Sequence, residues 1–192
     1  GISYSFIGQY VKANEYYKKA LTIMLTKLGS EHPSVATSYN NIGSNYSKMG
    51  EFFNAIEYHK KSLQIRLKKL GEDHPDTAIS YNNIGALYSD SGKYQKTLEY
   101  YEKSLRIILK KMGAEHPYVA TNYINIGLVY YNLNQYSKAI EYYNKSLLIR
   151  LKKLGSEHAL LTINYKYIGL AYREMSKYEE AMSFLKKAEI IY

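Results

Sequence analysis

The chain has no cysteine and no tryptophan, and only three of its 192 residues are proline. Without cysteine there is no disulfide framework, no thiolate-held metal and no thiol nucleophile, and the reducing cytoplasm is the compartment most easily accommodated. So few prolines leave long helices uninterrupted. No apolar run reaches the ~18 residues of a membrane span, and the N-terminus lacks the charged-then-apolar pattern of a secretion signal. Acidic residues number 17 against 26 basic ones, a net charge of +9, which raises nucleic acid, anionic membrane or acidic peptide as partners. What the chain does have is 46% hydrophobic residues, enough for a core, and 24 tyrosines, far above ordinary usage.

Glycine recurs at Gly29, Gly71, Gly113 and Gly155, each 42 residues after the last. The same period carries His32, His74, His116 and His158, then Tyr39, Tyr81, Tyr123 and Tyr165, then Gly43, Gly85, Gly127 and Gly169. A strict period of this length marks a repeat architecture, and four copies agree with one another. Within a copy, Tyr39, Ile42, Gly43 and Tyr46 fall at helical spacing on one face. A glycine in mid-helix costs about 1 kcal/mol against alanine, so a recurring one implies close approach of a second helix. That helix follows the turn at Lys48 to Glu51 and buries Phe52, Ala55, Ile56, His59 and Leu63.

Each copy is therefore a helix hairpin. Leu70-Gly71 ends one with a glycine suited to a left-handed cap, and Pro75 opens the next at the first-turn position. First helices are predicted near residues 33–49, 75–91, 117–133 and 159–175, and second helices near 52–70, 94–112, 136–154 and 178–192. The last copy has Ala159 where proline stands elsewhere, which removes a preference and not the helix. Gly1 and Tyr4 align with Gly43 and Tyr46, so the chain is expected to open with the tail of a first helix followed by a complete second helix. The organisation expected is one array over residues 1–192, with a partial repeat at 1–28 and repeats at 29–70, 71–112, 113–154 and 155–192.

The spacing aromatic-x-x-Ile-Gly-x-x-Tyr from Tyr39 to Tyr46, with Ala55 following, resembles the tetratricopeptide repeat along the whole chain. The eight extra residues per copy and the sequence Leu-Gly-Glu-Asp-His-Pro-Asp at Leu70 to Asp76 are similar to the longer repeats of kinesin light chains. The resemblance implies an all-α fold, a right-handed alpha-alpha superhelix of about four and a half hairpins, with first helices lining a concave groove. It also accounts for 20 of the 24 tyrosines as repeating architecture. Tyr118, Tyr131, Tyr167 and Tyr192 lie outside the pattern.

In tetratricopeptide domains that hold peptides, an asparagine two residues after the aromatic often bonds the backbone of an extended ligand. The resemblance carries that role to Asn41, Asn83 and Asn125, with Asn40 and Asn82 preceding two of them. The fourth copy has Tyr167 there. The alternative is that these amides tie neighbouring first helices together. Lys48, Tyr131, Lys166 and Arg173 complete the expected partner-binding set, on a face graded from polar (Ser44, Ser47) to apolar (Leu128, Leu170).

The basic surplus falls almost wholly on the second helices, where Lys68, Lys69, Lys110, Lys111, Lys152 and Lys153 occupy last turns and complement the helix dipole. No stacking platform or groove-reading motif accompanies it, so no nucleic acid is expected. The four histidines form a row and not a converging set, so they read as structural turn residues rather than metal ligands. The sequons at Asn45 and Asn144 lie within predicted helices and read as chance.

No phosphate loop and no nucleophile with an oriented base is legible, so no catalytic residue, cofactor or metal is expected. The chain reads as a binding scaffold for a peptide or protein, with no membrane insertion and a cytoplasmic location. The alternative is a structural or regulatory array, either part of a larger protein or a consensus-like engineered repeat, packing through its ends or its basic face. The apolar Ile190 and Ile191, with no polar capping element before Tyr192, point to a fragment of a longer protein or to end-to-end self-association.

Overall fold

The computed structural model describes residues 2–191, with side chains from residue 8 onward. Among the described residues the structure is helical throughout: α1 (Ile2–Leu28), α2 (Pro33–Lys48), α3 (Phe52–Leu70), α4 (Pro75–Asp90), α5 (Tyr94–Met112), α6 (Pro117–Asn132), α7 (Tyr136–Leu154), α8 (Leu160–Glu174) and α9 (Tyr178–Ile191). The expected helices are all present to within one residue at each end. The parallels drawn for Gly1 and Tyr192, and for the side chain of Tyr4, fall outside the described residues.

The start differs from expectation. No turn separates a first from a second helix near Gly8, and α1 runs unbroken. In the internal copies the first helix packs back on the second, whereas a side chain added at Gly8 would meet nothing. Helix propagation, which adds a hydrogen bond for each residue fixed, then has no competing tertiary contact.

The chain forms two compact units, residues 1–107 and 108–192. In the first, α2 pairs with α3, and α1 and α4 pack on either side of that hairpin. Leu21, Val35, Ala36, Ile42 and Ile65 form one apolar cluster there, and Leu63, Ile84 and Tyr88 another. In the second, α6–α7 and α8–α9 are hairpins joined by α7 against α8, around Ile140, Tyr143, Leu147, Leu161 and Ile168.

The tyrosines stack by the same rule in each copy. Tyr58 lies between Tyr39 and Tyr46 at 6.0 and 5.4 Å between ring centroids, and Tyr142 between Tyr123 and Tyr130 at 5.9 and 5.4 Å. The recurring glycine lets a ring of the second helix lie against the first: His59 on Gly43, Tyr101 on Gly85 and Tyr143 on Gly127.

His32, His74 and His116 are the N-caps of α2, α4 and α6, and His158, one residue ahead of the Ala159 that caps α8, makes the same bond. Nδ1 of His32, His74, His116 and His158 accepts the backbone N–H of Ser34, Asp76, Tyr118 and Leu160 at 3.1–3.2 Å. His158 accepts that N–H although α8 lacks the proline of its siblings, and α8 begins later in its copy than they do, at Leu160. The closing glycines have positive φ as expected, but Gly71 pairs φ 86° with ψ 173°. That combination lies outside the left-handed helical region, in one essentially reserved for glycine, so the requirement is stricter than the sequence reading supposed.

Candidate binding face of the first helices

In unit 1 the expected asparagines lie on α2 and α4. Asn83 Nδ2 donates to Asn40 Oδ1 at 3.2 Å, joining two successive first helices. Asn41 is half-buried beside them, and Asn82 is half-buried on α4. A second amide pair was not anticipated: Asn45 Nδ2 donates to Asn14 Oδ1 at 3.0 Å, with Asn14 nearly inaccessible and its own Nδ2 unpartnered. The clue was in the register, since Ile56, Leu98 and Ile140 occupy the place of Asn14 in the other copies. Lys48 is exposed at the end of α2, its Nζ 5.1 Å from the centre of the Tyr10 ring.

Unit 2 carries a different surface. Asn125 is half-buried on α6. Tyr131, near the end of that helix, packs edge-on against Tyr136 at 5.4 Å. Burial, with the nearby Glu174 charge, pushes its phenol above the ordinary range. Glu174 is held below the usual carboxylate range by its bond to Arg173, whose Nη2 donates to Oε1 at 2.8 Å. Tyr131 and Arg173 are thus brought to one carboxylate, a residue the sequence reading did not single out. Tyr167 is half-buried and stacks on the fully buried Tyr143 at 5.4 Å, whereas Lys166 is exposed. The Tyr143 hydroxyl has no partner, and burial pushes its pKa up.

The second helices are less freely charged than composition implied. Lys68 and Lys69 both bond the Glu31 carboxylate, and Lys152 and Lys153 both bond that of Glu115. These lysines hold Glu31 and Glu115 below the ordinary carboxylate range. Exposed pairs of this kind stabilise little, but they cancel much of the charge at the helix ends. Among the described residues no cluster of His, Asp and Glu could hold a metal, and no helix is long and apolar enough to cross a membrane.

Comparison with known proteins follows the same lines. A family model for the tetratricopeptide repeat matches residues 1–52, 34–110, 83–150 and 118–192. A crystal structure of a Podosopora anserina putative kinesin light chain with nearly identical TPR-like repeats is 25% identical, with a TM-score of 0.82 over 99% of this chain and 91% of that one. BtubC (BKLC) from P. vanneervenii is 23% identical, with a TM-score of 0.85 over 96% of this chain and 73% of that one. The apo form of RapI is 23% identical with a TM-score of 0.81, and 96% of this chain matches 49% of RapI. The last two likenesses carry the fold alone. A comparison with curated proteins finds no match.

Proposed function

The chain belongs to the tetratricopeptide repeat family, in its kinesin light chain-like form, and from that premise we propose that it is a non-enzymatic scaffold holding an extended peptide or protein segment on its first-helix face. Proteins of this family are generally interaction scaffolds. One observation carries the reading. The residues that pack hairpins recur copy after copy, while several accessible first-helix positions do not: Lys48 in one unit, Tyr131, Lys166 and Arg173 in the other. Packing alone gives no reason for that variation, and selection for a particular partner does. A cargo or complex adaptor in the cytoplasm, working without cofactor, metal or nucleic acid, is the role that fits.

The test is a peptide-library selection on the parent chain, followed by affinities for Asn41→Ala, Lys166→Ala and Arg173→Ala. Each removes accessible atoms with little structural work, so affinity is expected to fall severalfold at unchanged thermal stability. Selected peptides that bind all three variants like the parent would refute the proposal. The asparagine pair needs separate handling. Asn83→Ala breaks the bond to Asn40, so it is expected to lower stability by about 1 kcal/mol besides any effect on affinity.

A structural array packing through its end is the second reading. It is favoured by Met182 on α9, which is 54% exposed where its equivalents Leu98 and Ile140 are 8% exposed. Light scattering at dilute concentration distinguishes the two, since a monomer under all conditions removes self-association.

A further inference from the structure

Arg66 and Arg150 stand 84 residues apart, twice the repeat period, at one register position of α3 and α7. They do the same structural work. Nη1 of Arg66 donates to the Asp76 carbonyl at 3.0 Å and to Ser80 Oγ at 2.7 Å. Nη1 of Arg150 donates to the Leu160 carbonyl at 3.0 Å and to Asn164 Oδ1 at 2.7 Å. Each guanidinium thus ties the end of a second helix to the start of the next first helix, and each lines a notch between them.

Besides Ser80 against Asn164, the two notches differ at one position facing the guanidinium that changes charge. In unit 1 it is Asp76, whose negative charge acts on Arg66, and the cavity holds about 50 Å³. In unit 2 it is Leu160, and the cavity holds about 230 Å³ between Pro117, Ile149, Leu154 and Leu160. Leu154 and Leu160 are 38% and 44% exposed at its mouth. Half-burial holds Arg150 below the ordinary arginine range, and no carboxylate among the described residues offsets it. Its Nε and Nη2 donors make no hydrogen bond among the described residues, although a guanidinium offers five N–H groups in a fork shaped for a carboxylate. Lys153 on the rim is already held by Glu115, so the charge available to an anion is that of Arg150 itself.

We propose that the Arg150 notch is a binding site for a short aliphatic carboxylate, its oxygens on the free donors of Arg150 and its hydrocarbon against Ile149, Leu154 and Leu160. The size sets the class. A volume of about 230 Å³ is room for roughly seven waters and lies below the ~300 Å³ at which drug-sized ligands begin to fit. A free short-chain acid fits it, as does the terminal leucine of a polypeptide, whereas a long acyl chain does not. The site lies apart from the first-helix face and stands or falls separately from the peptide-binding reading.

The test is a methyl NMR titration of the full chain with hexanoate. Saturable shifts confined to Ile149, Leu154 and Leu160 are expected, with affinity on the order of millimolar for so small a ligand. Leu160→Asp gives unit 2 the carboxylate that unit 1 already has, and it is expected to weaken binding at least tenfold. Arg150→Met, placing there the residue that Met24 supplies at the same register, is expected to do likewise. A leucine-terminated peptide, free or amidated at its C-terminus, identifies the source: tighter binding of the free form than of hexanoate points to a chain end, and weaker binding to a free acid. Absence of saturable shifts in the parent, equal shifts with hexanol, or full binding by either variant would overturn the proposal.

Discussion

Replacing Gly127 with alanine adds one methyl group to α6 at a point where a ring occupies the space. A Cβ there would stand 2.5 Å from Cε1 and 2.7 Å from Cδ1 of Tyr143. Carbon atoms in contact prefer about 3.5–4.0 Å, so the ring would have to retreat by roughly 1 Å. It has nowhere to go, being fully buried with Tyr167 stacked on it. Overpacking of this kind costs about 1–3 kcal/mol, and alanine recovers about 1 kcal/mol of helix propensity. With the ring unable to retreat, the overpacking falls in the upper half of that range, so the net expectation is a loss of about 1–2 kcal/mol, read as a urea midpoint lower by roughly half a molar. The overlap grades the series, with closest approaches of 2.9 Å for Gly43, 2.7 Å for Gly85 and 2.5 Å for Gly127, so the loss should grow in that order. Gly8→Ala is the control: it sits in a helix with nothing around the added carbon, so it should be neutral or stabilising by up to about 1 kcal/mol. A Gly127→Ala chain as stable as the parent would refute the close-approach reasoning for all four copies.

Two further predictions concern buried polar groups. Burial, with the Arg66 charge adding to it, depresses His59 to about 4. The unfolded chain therefore binds a proton between about pH 6.5 and 4 that the folded chain does not, and stability falls with pH through that window by up to about 3 kcal/mol. His59→Tyr, which installs the residue found at 101 and 143, should remove this part of the slope; denaturant melts from pH 7 to 4 that superimpose for both chains would contradict it. Ser62, Ser104 and Ser146 are fully buried with unpaired hydroxyls, where the end copies have Ala20 and Ala188. Each Ser→Ala change should therefore raise stability by about 1 kcal/mol in a urea melt, and a loss instead would mean that the hydroxyl is bonded in solution.

The repeat and its hairpins were legible because packing imposes them locally. Glycine under a ring, histidine before proline and glycine at a helix end each answer a constraint that recurs every 42 residues, and period alone exposes them. The histidine caps show how far that goes: the row implied a turn role, and only coordinates show Nδ1 accepting the N–H two residues on. The candidate face was less legible because it depends on contacts between copies. Asn83 reads from sequence equally as a ligand contact or a seam, and the answer rests on the position of Asn40 one copy earlier. Tyr131 and Arg173 were visible as members of the expected binding set, but the carboxylate that joins them was not. The passage from first to second helix at the start of the chain was not legible, since α1 runs unbroken through Gly8, beside which an added side chain would meet nothing.

Hydrogen-exchange mass spectrometry on the chain with and without a library-selected peptide tests the central claim most directly. Slowed exchange is expected along α2, α4, α6 and α8, strongest around Asn41, Tyr131 and Arg173, with α3 and α7 unchanged. Protection concentrated instead on the lysine-bearing ends of α3 and α7 would contradict the account.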